Sequence, residues 1–147
     1  MNRHIVLRVV TKMMTPAIVL FALYVQFHGD FGPGGGFQAG VIMAVAFILY
    51  GFVFGLDAVR RVAPPNILCR LMAFGVALYA GVGVASLFLG GMYLDYDVLH
   101  PDTAHHVGQH YGIMAVEFGV GTTVASTMIM LYYAFASQTS EMKDGDW

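Results

Sequence analysis

The 147-residue sequence predicts an all-α integral membrane protein with four transmembrane helices and both termini on the cytoplasmic side. Three observations carry this. The chain is 58% hydrophobic and only 11% charged, with a mean hydropathy of +0.69, whereas a soluble domain carries about 25% charged residues. Four apolar runs stand out, each long enough to cross a hydrocarbon core at 1.5 Å per residue. All Lys and Arg fall on one side of that four-span arrangement: Arg3, Arg8 and Lys12 before or early in span one, Arg60, Arg61 and Arg70 between spans two and three, and Lys143 after span four. The positive-inside bias then puts that side in the cytoplasm, and an odd number of spans would destroy the segregation.

The first span is placed at 5–27. Arg8 and Lys12 lie a turn apart at its start and can snorkel to headgroups, and Pro16 leaves a carbonyl for a neighbouring helix to satisfy. The beginning resembles a signal peptide, but no A-x-A-like site follows, so it is read as a retained span. Span two is placed at 37–56. A short basic connection, Asp57–Asn66, ends in Pro64-Pro65 and Asn66 and leads to span three at 71–89. A polar connection, Gly90–His110, precedes span four at 111–135. The whole of 1–147 is read as a single membrane domain without repeats.

Residues 28–56, HGDFGPGGGFQAGVIMAVAFILYGFVFGL, organise the rest. The glycines around Pro33 cannot hold a regular helix, but they permit φ > 0 and close backbone approach. Past the loop, Gly36, Gly40, Ala44, Gly51 and Gly55 fall within roughly 100° of arc if the helix is continuous. That makes a small-residue stripe against which another helix can pack. Pro33, Gly34, Gly35, Gly36, Phe37 and Gln38 are therefore expected to form a subunit-docking loop. Gly40, Ala44, Gly51 and Gly55 are expected to serve helix packing.

Glu117 is the one carboxylate with apolar sequence on both sides, one or two turns inside span four. Intramembrane acids face protein or water and are commonly functional. Two readings stand: a proton or cation ligand in a polar cavity, or a shallow carboxylate reaching to the headgroups. Gly121 follows on the same face at i+4 and Ala125 at i+8, which favours packing on protein.

Other chemistries find little support. A net charge of −2 gives no nucleic-acid partner, and the lone Cys69 allows neither an intrachain disulfide nor a CxxC pair. His106 and His110 have helical i,i+4 spacing, yet with His100 and His105 they sit in a connection rich in Asp and Gly, so no metal is assigned. With no histidine inside a predicted span, haem ligation is excluded. GPGGGF lacks the GK[ST] ending of a nucleotide loop. Thr122, Thr123, Ser126 and Thr127 are expected to bond their own helix. No cofactor and no enzymatic reaction are expected.

The stretch HGDFGPGGGFQAGVIMAVAFILYGF resembles the MnhB-like subunit of the Mrp (Mnh-type) multisubunit Na⁺/H⁺ antiporters, as does GIMAVEFGVGTTVASTMIML, an acid followed by Gly-Val-Gly. The same module recurs in membrane-bound hydrogenase complexes, and Ala39 stands where family members often carry glycine. The resemblance implies a multi-pass subunit of the prokaryotic cytoplasmic membrane, working with other membrane subunits in the lipid bilayer to exchange sodium for protons. It leaves open whether this subunit carries ions, with Glu117 as the protonatable group, or is a non-transporting scaffold.

Overall fold

The computed structural model describes residues 5–29, 34–99 and 107–139. Arg3, Pro33, His100, His105, His106 and Lys143 lie outside the described residues. Among the described residues, four helices are long and apolar enough to cross a membrane.

Helix α1, Ile5–Phe27, has the bounds its apolar run predicts and contains Pro16. Arg8 and Lys12 place their charges over the ring of Phe54, at 5.2 and 5.7 Å from its centroid. The cation–π contacts tie the start of α1 to the end of the second helix, where the carbonyl end of the dipole also favours cations.

Helix α2 spans Gly36–Phe54, two residues short of the predicted end at Leu56. Gly55, with φ +93°, breaks it. A separate short helix, α3, follows at Leu56–Val62, with Asp57 in its first turn and Arg60 and Arg61 in its last. That order suits the helix dipole at both ends. The segment expected to be a plain connection is thus largely helical.

Helix α4, Pro65–Phe88, begins six residues before the predicted Leu71. Pro65 sits at its first position, where the missing N–H costs nothing and the fixed φ already suits a helix. The proline pair marks a helix start rather than a loop. After Phe88 the helix is closed by N–H groups of Leu89, Gly90 and Gly91, which donate to Ala85, Leu87 and Ser86.

Helix α5, Val107–Thr139, is longer at both ends than the predicted 111–135. Its first turn includes His110 and docks on a short 3₁₀ turn, Tyr96–Leu99. Gly108 and Gly112 lie flat against the backbone and ring of Tyr96, which explains why α5 is ordered before the apolar run begins. As expected, the hydroxyls of Thr122, Thr123, Ser126 and Thr127 donate to the carbonyl four residues back, at 2.7–2.9 Å.

The helices are arranged α1–α2–α5–α4 rather than in chain order. Helix α2 packs between α1 and α5, and α4 packs on the far side of α5. The side-chain core lies at the end where α3 returns, and comprises Ala44, Val59, Ala63, Leu68, Ile129 and Tyr133.

Candidate functional site

The Gly-Val-Gly after Glu117 explains how α5 fits between two neighbours. Gly119 and Gly121 are two residues apart, about 200° around the helix, so they face opposite sides. Gly119 meets α4: a Cβ on it would lie 2.8 Å from the Gly75 carbonyl oxygen. On the other side, a Cβ on Gly40 of α2 would lie 2.6 Å from the Gly121 carbonyl oxygen. Gly36 is tighter still, pressed on the backbone of Glu117 itself, where no side chain can stand.

This close approach delivers the Glu117 side chain to the glycine loop. Its carboxyl fills the space a side chain on Gly29 would need, with Oε2 at 2.6 Å and Oε1 at 2.8 Å from the Cβ position. Oε1 lies 3.2 Å from the corresponding position on Gly35. Gly35 caps α2 with φ +123°, a conformation that L side chains rarely adopt. The Val25 carbonyl accepts from the N–H groups of His28 and Gly35, both at 3.4 Å, which folds the loop back over the end of α1. Gly34 completes the turn, its Cβ position 2.9 Å from that same oxygen.

Glu117 is half-buried. Its carboxyl stands beside the N-terminus of α2, where the partial positive charge of the helix favours an anion. The carboxyl thus stands in a seat of glycine backbone, on a helix long and apolar enough to cross a membrane. Among the described residues no group of three or more His, Cys, Asp or Glu side chains converges as a metal site. Outside the spans, burial raises the Tyr96 hydroxyl above its ordinary value, and Tyr79 and Tyr93 nearby add to the effect.

The expected site residues separate into two groups. Gly35 and Gly36 face Glu117 and Gly34 faces the Val25 carbonyl and Gly29, while Phe37 and Gln38 are exposed. Gly40, Ala44 and Gly51 are buried in α2, and Gly51 faces the Tyr132 ring. Gly55 has no atom near its Cβ position and acts as a helix breaker. Gly121 lies against the Gln26 side chain and the Gly36 carbonyl. Gly29, Gly75 and Gly119 escaped sequence reasoning as site residues. The Gly-Val-Gly spacing was a usable signal for Gly119, and nothing local pointed to Gly29 facing an acid 88 positions on.

A helical chain with four membrane-length helices, two of them pressed together where the half-buried Glu117 stands, defines a polytopic membrane protein. Residues 6–130 match the family described as the domain related to the MnhB subunit of Na⁺/H⁺ antiporters, and the chain belongs to that family. A relative named as antiporter subunit mnhB2, from Staphylococcus haemolyticus, is 36% identical over 93 residues, 63% of this chain and 65% of that protein. The B-type subunit of the Na⁺/H⁺ antiporter of Alkalihalophilus pseudofirmus is 30% identical over 93 residues, 63% of this chain and 64% of that protein. A Staphylococcus aureus protein also named as mnhB2 is 34% identical over the same length. The matched stretch therefore spans slightly less than two thirds of these relatives.

Proposed function

We propose that this chain is a membrane subunit of a multisubunit cation (sodium)/proton antiporter, in which Glu117 is the protonatable group. One observation carries the reading: the single acid of α5 is held against Gly29 and Gly35 by the backbone contact of α2 with α5. Family membership supplies the class of reaction. The chain works in the cytoplasmic membrane of a prokaryote, as one domain, with other membrane subunits as partners and sodium and protons as cargo. The test is Glu117→Gln, which keeps shape and hydrogen bonding but cannot release a proton. At matched complex levels in everted vesicles, cation-dependent pH change should fall by about tenfold or shift its optimum between pH 7 and 9. Glu117→Asp should keep part of the activity.

A scaffold role is the second reading, favoured by Phe37, which is 64% exposed at the mouth of the same loop. An unchanged rate and pH profile in Glu117→Gln would select it. Both readings share an orientation, with Arg8, Lys12, Arg60, Arg61 and Arg70 facing the cytoplasm. An engineered cysteine at Asp97 should then react with a membrane-impermeant thiol reagent in intact cells while the exposed Cys69 does not. The opposite labelling would invert the orientation.

A further inference from the structure

Beneath the glycine loop a second polar side chain faces the contact of α2 with α5. Gln26 of α1 is only 9% exposed. Its carboxamide carries two donors and an acceptor, and a polar group withdrawn from water is costly unless it is hydrogen-bonded. Ser86 and Ser126, also buried, meet that demand on their own helices, donating to carbonyls four residues back at 3.1 and 2.7 Å. Gln26 instead reaches across to α5. Its Oε1 presses on Gly121 where a side chain would begin, and the Gly36 carbonyl oxygen lies 3.1 Å from the same point. Two carbonyl oxygens thus crowd one position, and two acceptors cannot bond each other. The spot lacks a donor.

Glu117 stands one turn before Gly121 on the same face of α5, about 6 Å along the axis. As a neutral acid it has one O–H to donate. Gly36 lies between the two places, its Cβ position on the Glu117 backbone and its carbonyl at Gly121, so no side chain of α2 separates them. The two places differ in what they favour. The glycine seat stands beside the N-terminus of α2, which suits an anion. The inward place belongs to an almost wholly apolar wall formed by Gln26, Phe118, Gly121 and Thr122, which suits a neutral group. Among the described residues, His28 stands on the loop side next to Gly29, and Tyr79 meets α5 at Gly119, on its opposite face. The Thr122 hydroxyl is committed to the Phe118 carbonyl at 2.8 Å.

We propose that Gln26 is a positioning residue for Glu117: the neutral acid turns inward and donates its O–H to Gln26 Oε1, and the ionised form returns to the glycine seat. Losing the proton then changes the side that the carboxyl faces. The proposal rests on the reading of Glu117 as the protonatable group. To test it, membranes holding the chain with its accompanying subunits are treated with an apolar carbodiimide, which arrives through the hydrocarbon, or with a water-soluble one. Adducts on the Glu117 peptide are quantified by mass spectrometry, and the ratio of apolar to water-soluble labelling reports the inward share. Gln26→Leu keeps the bulk and removes the acceptor, so the ratio should fall about tenfold, the worth of one buried hydrogen bond. Gly29→Ala crowds the seat and should raise it. A purely structural Gln26 would lower thermal stability and leave the ratio where it was. An unchanged ratio in Gln26→Leu, or a parent that the apolar reagent does not label, overturns the proposal. Should Gln26→Leu fail to assemble, an unchanged ratio in Gly29→Ala overturns it instead. Labelling is read without exchange, so this proposal and the reading tested by Glu117→Gln can fail separately.

Discussion

The two ends of the α2–α5 pair are built on opposite principles. At the Glu117 end, backbone meets backbone: Gly36 lies on Glu117 and Gly40 on Gly121, with the carboxyl tucked under Gly29. At the α3 end, side chains fill the space: Val59 is fully buried, and Leu68, Ile129 and Tyr133 close around it. The glycine end has no side-chain volume to lose, so it can be broken only by adding atoms. The packed end is broken by removing them. Close approach in the membrane draws on contacts between small residues, because lipid tails are as apolar as any side chain. The packed end uses the ordinary cost of cavities and lost hydrogen bonds.

That contrast can be broken hardest at Gly36. Gly36→Val puts a branched side chain into the Glu117 backbone and should cost about 3 kcal/mol, read as a large loss of thermal stability in detergent and of complex recovery. Gly81, whose Cβ position is open, supplies the control. Gly81→Ala should leave both measures unchanged or slightly improved, because alanine favours a helix. Equal effects at the two positions would mean that the close approach of α2 and α5 does not hold the fold.

A milder break is Tyr133→Phe. The Ala63 carbonyl loses its donor, a loss of about 1–2 kcal/mol, measured as a lower unfolding temperature. The pH profile of exchange should stay where it was, because the change lies at the packed end. A shifted profile would show that the two ends are coupled.

Gly29→Ala sharpens the comparison with the smallest effect on stability. The atoms nearest its new methyl are at the far end of the Glu117 side chain, which can swing aside, so the fold should survive. The carboxyl should move, and with it the pH profile of exchange. Adding Glu117→Asp shortens the side chain by one methylene and should restore part of the parent profile. If Gly29→Ala alone leaves the profile unchanged, the seat does not govern the acid.

How much of this was legible in the sequence follows the same division. The four apolar runs predict four long helices, and α1 has the predicted bounds with Pro16 accommodated inside it. Three of the misplaced ends have an identifiable local cause. Gly55 stops α2 through a positive φ that its apolar neighbours conceal, and Pro65 opens α4 where a proline pair suggests a loop. Tyr96 orders the first turn of α5 from outside the membrane. Glu117 and the glycine loop each stand out locally. Their meeting depends on α5 lying beside α2 instead of α4 alone, and helix order is a tertiary property that no local pattern encodes.

The arrangement α1–α2–α5–α4 leaves α1 and α4 with one main neighbour each, and at most 28% of any spanning window is buried within the chain. Such a molecule is closer to a panel than to a globule: it has two broad faces, two free edges and almost no interior of its own. Its surroundings supply most of the contacts that an ordinary domain makes with itself. The folding free energy of this chain is therefore a joint quantity, set by detergent, lipid or neighbouring protein as much as by its own residues.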